Sequence, residues 1–147
     1  MPSPSVSPHV AVWPQHSGDE LGDARQHADT FARVFAQVYT AGGWHIVAEE
    51  GSHLIDLGLG RVVRRHYRAG RSQSSGLILC SQRPRFIPKE AVSSAQHILI
   101  FGTNDEEDLA RLGGMNGLSS KEIRAIVAGL GRDYHFLHVN TRDASLA

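Results

Sequence analysis

Apolar residues recur along this chain with two different periods, and the alternation between them sets the expected architecture. Phe31, Val34, Phe35, Val38 and Tyr39 fall at helical spacing, which predicts a helix from about Ala24 to Thr40 that Gly42 and Gly43 end. The run WHIVA (44–48) then reads as a buried strand. Helical periodicity returns over 59–70. Two continuous apolar runs, GLILC (76–80) and HILIFG (97–102), predict further buried strands of the kind a sheet covered on both faces needs. Helices are expected at 88–95, opened by Pro88, at 105–112, and at 120–130, the last with Ser119 and Glu122 at capping-box spacing. A strand over 133–140 follows. Near the start, HVAVWP (9–14) is a strand candidate ended by Pro14, and 15–23 is a loop offering Asp19 or Asp23 as a helix cap.

Strands alternating with helices predict an α/β fold with a mostly parallel sheet and flanking helices. The 147 residues suit one domain, taken as 9–147, behind a Pro- and Ser-rich segment, 1–8, expected to be disordered.

Composition narrows the function classes. Fifteen basic residues balance fifteen acidic ones, so any basic surface is local. Cys80 is the only cysteine, which excludes an intrachain disulfide and points to a reducing, cytoplasmic setting. No run is long enough to span a membrane, and MPSPSVSP lacks the features of a secretory signal. Cys80, Trp13 and Trp44 read as packing residues.

Candidate chemistry gathers at strand ends. Glu49 and Glu50 follow the 44–48 strand, and two readings of them are open. They are solvated or capping carboxylates, or they belong to a ligand site at the carboxyl rim of the sheet, where α/β proteins collect such sites. Gln82, after the 76–80 strand, falls at the same rim. A carboxylate pair beside an amide suits nucleotide hydrolysis: one carboxylate holds Mg²⁺ through water, another polarises the attacking water, and the amide senses the terminal phosphate. On the 59–70 helix, Arg61, Arg64, Arg65 and Arg68 share one face, opposite Val62, Val63, His66 and Tyr67. That face is either ordinary solvated surface or a contact for DNA phosphates or a partner. No HExxH or Cys/His cluster occurs, and His135 and His138, three apart on an expected strand, point to opposite faces.

From Tyr39 to Arg142 the chain resembles the C-terminal half of an FtsK/HerA-type P-loop ATPase, the class of DNA-pumping motors and related phage and plasmid ATPases. Four ordered segments carry the resemblance: WHIVAEEG (44–51), GRSQSSGLILCSQRP (70–84), AQHILIFGTNDEEDLARLGG (95–114) and HFLHVNTR (135–142). The resemblance implies a partial P-loop NTPase core of RecA/ASCE type, binding ATP and Mg²⁺. Glu49 would stand at the Walker-B metal position, where the family usually has Asp, and Glu50 would be the catalytic carboxylate. Gln82 would sense the γ-phosphate, and Arg71 would act as a finger reaching a neighbouring subunit's site. A homo-oligomeric ring moving DNA is the implied assembly.

One expected element is absent. No GxxxxGK[ST] occurs in the sequence, and the glycine-rich GGMNGLSSK (113–121) lies after the Walker-B-like strand, with Ser119 better explained as a helix cap. In this superfamily the P-loop strand lies between the strands corresponding to 76–80 and 97–102. Its absence predicts unpaired edges there, to be completed by a P-loop-bearing segment or subunit. The chain is then not an autonomous ATPase. The alternative is a non-catalytic α/β binding or assembly module using the arginine helix for DNA or protein contact. An unrelated small α/β hydrolase would need a nucleophile that no glycine elbow supplies.

Overall fold

A computed structural model describes residues 9–113, 118–130, 134–141 and 145–146. The elements, in order, are α1 (Glu20–Ala41), β1 (His45–Ala48), α2 (Gly51–Asp56), α3 (Gly60–Ala69), β2 (Gly76–Leu79), α4 (Lys89–Ser94), β3 (His97–Ile100), α5 (Glu106–Leu112), α6 (Ser120–Ala128), β4 (Leu137–Asn140) and β5 (Ser145–Leu146). Short 3-10 turns at Gly70–Gln73 and Pro84–Phe86 lead into β2 and toward α4.

The fold is α/β, but its strands form two small sheets. β1 pairs with β2 in parallel, with Val47 opposite Ile78. β3 pairs antiparallel with β4, and β4 with β5. Parallel pairing is thus confined to β1 and β2, whereas the sequence led us to expect a mostly parallel sheet. Strand polarity is set by the connections, and a run such as HILIFG carries no mark of its partner's direction.

Each sheet is covered on one face by its own helices. Phe35 of α1, Leu54 of α2, Val63 of α3 and Ala91 of α4 pack with Leu59 and Ile87 over Ile46, Ala48, Leu77 and Leu79. Leu109 and Leu112 of α5 and Ile123 and Val127 of α6 pack over Ile100, Leu137 and Val139. Val92 of α4 touches both cores. The opposite faces are open: Val47 is 63% exposed, and Ile78 and Leu99 each 55%. The strands expected to be buried are therefore buried on one side only, because helices cover only one.

Local signals explain the starts of two helices, α5 and α6, whereas Asp19 precedes α1 without a side-chain capping hydrogen bond. Asp105 accepts from the backbone N–H groups of Glu107 and Asp108, capping α5. Ser119 and Glu122 form the capping box that opens α6. α1 starts earlier than its apolar stripe because Asp23 is drawn back, accepting from the Ser17 N–H and hydroxyl and from the Gly18 N–H. These hydrogen bonds hold its carboxyl below the usual carboxylate range. Residues 9–14 form no strand, and among the described residues of the 133–140 run only Leu137–Asn140 do. Residues 51–56, expected to be loop, form α2. Cys80 and Trp13 are exposed, so neither packs in a core. The segment 1–8 lies outside the described residues, as does Arg142.

Candidate nucleotide site

β1 delivers Glu49 and Glu50 to the carboxyl end of the parallel pair, and a tight crossing fixes where they stop. The N–H of Gly51 donates to the Cys80 carbonyl at 2.6 Å, just beyond the last β1–β2 pair. A Cβ at Gly51 would lie 2.6 Å from Leu79 Cγ and 3.0 Å from the Cys80 oxygen, so only glycine allows this approach. The chain turns there by placing Glu50 in the left-handed region (φ 50, ψ 55). A side chain held in that region costs about 1–3 kcal/mol and is common where a site is built. The turn opens α2.

Gln82 arrives from the parallel neighbour. Its amide donates to Glu50 Oε1 at 3.0 Å. The structure therefore brings Glu50 and Gln82 together at one rim. Glu49 is exposed beside them. Arg71 lies in the 3-10 turn ahead of β2, at the opposite end of that strand. The four residues of β2 separate the two rims by about 10 Å.

The loop carrying Gln82 is anchored by residues that sequence reasoning missed. Arg83 donates through Nε to Asp108 Oδ2 at 3.1 Å and through its terminal nitrogen to Asp105 Oδ2 at 2.8 Å. The Arg85 N–H donates to Asp108 Oδ1 at 2.9 Å, and its guanidinium pairs with Glu107. Asp108 is buried. The sequence signal there is the acidic start of α5, Asp105 to Asp108, which the helix dipole alone would account for.

Between β2 and β3 lies an open cleft of about 1260 Å³. Among the described residues each of these strands has one strand neighbour, and every residue of both lines the cleft. Glu49, Glu50 and Gln82 stand on its wall. Of the four stripe arginines, Arg61, Arg65 and Arg68 are exposed and Arg64 is half-buried; Arg65 also lies over the Tyr39 ring, 4.0 Å from its centroid.

No protein-family model and no curated protein matches the chain. Solved structures similar to it include two of the genome packaging NTPase B204 from Sulfolobus turreted icosahedral virus 2. The complex with ATP-gammaS aligns with a TM-score of 0.59 at 21% identity, over 81% of this chain and 59% of that one. The complex with AMP aligns with a TM-score of 0.52 at 17% identity, over 89% and 62%. At these identities the likeness establishes a shared fold. The chain spans about three-fifths of the viral protein's length. Among the described residues no helix is long and apolar enough to cross a membrane.

Proposed function

We propose that this chain is the Walker-B and sensor portion of an FtsK/HerA-like nucleotide-hydrolysing motor, completed by a P-loop from another segment or chain. The observation that carries the reading is the Gln82–Glu50 hydrogen bond at the carboxyl rim of β1 and β2, beside the cleft. In this reading Glu50 polarises the attacking water, and Gln82 holds Glu50 until a γ-phosphate draws the amide away. The P-loop strand fills the cleft between β2 and β3, which supplies the missing neighbour of both. The viral NTPase, solved with ATP-gammaS and AMP, supports a nucleotide as the ligand.

The donor set fits Mg²⁺ only as part of a larger site. The described residues hold no group of three His, Cys, Asp or Glu side chains suited to a metal. Magnesium is commonly held by one or two carboxylates together with water and substrate phosphates, and Glu49 fits the carboxylate part. When bound, the ion neutralises charge on the phosphates. Glu49, exposed, orients the water shell, and Arg71 acts on a neighbouring subunit in a ring that moves DNA.

Calorimetry with Mg²⁺-ATP tests this reading, first on the chain alone and then with a polypeptide carrying GxxxxGK[ST]. Binding only in the mixture, with Glu50→Gln retaining binding but losing hydrolysis, is the expected result. No binding in either sample of folded protein overturns it. A second reading, an assembly module using the arginine helix, is favoured by the exposure of Arg61 and Arg68.

A further inference from the structure

A second cleft, of about 400 Å³, lies on the opposite rim from Glu50, between the end of α3 and the start of β3. Tyr67, Arg68, Arg71, Ser93, Ser94, Gln96 and Thr141 supply its polar lining, and none of its lining residues is a carboxylate. Neither arginine is within ion-pairing distance of an acid among the described residues. This contrasts with Arg83, Arg85 and Arg124, each of which has a carboxylate partner.

The helix-end carbonyls nearby do not claim these cations. Ala69 O accepts from the Ser72 hydroxyl, Gly70 O from the Ser75 N–H, and Ala95 O from the Thr141 hydroxyl. Hydrogen-bond donors among its lining residues include the Arg68 and Arg71 guanidinium groups, the Gln96 amide and the Ser94 hydroxyl.

We propose that this cleft binds a phosphoryl group, gripped by Arg68 and Arg71 and completed by Ser94 and Gln96. Against the two oxygens and single charge of a carboxylate, a terminal phosphoryl group presents three acceptor oxygens and up to two charges to the two guanidinium groups. Its source is either the backbone of a nucleic acid or the end of a nucleotide. The site lies at the far end of β2 from Glu50, but Arg71, Ser94 and Gln96 also line the larger cleft, and the inference shares Arg71 with the proposed function.

Titration of the full chain with inorganic pyrophosphate, with malonate and with a short DNA duplex tests the proposal. Pyrophosphate is expected to bind more tightly than malonate. Arg68→Gln and Arg71→Gln should each weaken it at least about tenfold, the effect of losing one charge-assisted hydrogen bond. Arg33→Gln, on α1 and outside the cleft, serves as the charge-matched control and should change affinity less than about twofold. If the duplex shows the same dependence on Arg68 and Arg71, the phosphoryl group comes from a nucleic-acid backbone. If only pyrophosphate does, it comes from a nucleotide. Equal affinity for malonate overturns the phosphoryl assignment, and pyrophosphate binding that survives both substitutions overturns the site. Circular dichroism of each variant separates either result from misfolding.

Discussion

Arg83 reaches from the loop after β2 to the buried carboxylate of Asp108 on α5, 25 residues away, at 3.1 Å. The contact links a loop attached to the first core with a helix of the second. It also sets the loop on which Gln82 stands. Removing the Asp108 carboxylate leaves the Arg85 N–H and the Arg83 Nε without their acceptor. Asp108→Ala should therefore cost about 1–3 kcal/mol, read as a shift in the urea midpoint. Asp108→Asn, which keeps a single acceptor oxygen, should cost less. An unchanged midpoint in Asp108→Ala would show that the contact contributes nothing to stability.

The Gln82–Glu50 hydrogen bond lies on the surface, and its loss should hardly be felt in folding. Gln82→Ala is expected to keep stability within about 0.5 kcal/mol of the parent. The same change should abolish hydrolysis once a P-loop segment is supplied. Phosphate release in the reconstituted mixture reads the second effect. Full hydrolysis by Gln82→Ala would remove the amide from the mechanism.

Gly51 and Leu79 make a separable pair. Gly51→Ala forces a methyl group against Leu79 Cγ and should destabilise by about 1–3 kcal/mol. Leu79→Ala removes the clashing branch, so the double variant should be more stable than the sum of the two single losses predicts. Strict additivity in chemical denaturation would place the strain at the Cys80 carbonyl instead.

His66 gives the fold an acid limb. Its ring is buried between Phe35 and Tyr39, with neither nitrogen in a hydrogen bond of good geometry. Burial holds its pKa below the ordinary 6.5, outweighing the nearby Val62 carbonyl and aided by the charge of Arg65. The unfolded chain therefore takes up this proton at higher pH than the folded one. The stability contribution is complete above about pH 6.5 and declines as the pH falls toward the depressed folded value. His66→Phe should flatten that part of the stability profile, measured by denaturant midpoints between pH 7 and 5. An unchanged slope would assign the acid limb to other groups.

Much of the helical framework was legible because its signals are local. The stripe from Phe31 to Tyr39 and the Ser119–Glu122 box are each contained within a few turns of chain, and α1 and α6 form there. Helix α2 was not legible: its six residues are too few to show a period, and its start depends on Gly51 meeting Cys80 from another strand. Strand partners failed for the same reason. The apolar run containing Leu99 does not reveal that its neighbour is the antiparallel β4, or that one face lacks a helix. In the candidate site, strand-end placement sufficed to nominate Glu50 and Gln82, which the fold joins. The Arg83–Asp108 anchor escaped notice because an arginine after a strand gives no clue to a partner so far along the sequence.

The free edges of β2 and β3 also govern the solution behaviour of the polypeptide. An open strand edge is a template for any extended chain, and a second copy offers the same edges and the same bared Ile78 and Leu99. If the proposed P-loop segment fills that slot, self-association competes with its arrival. Solubility then becomes a matter of timing: the segment's presence at synthesis would protect the protein, and its delay would leave the chain to concentration-dependent aggregation. Light scattering against concentration, with and without that segment, reads this competition directly.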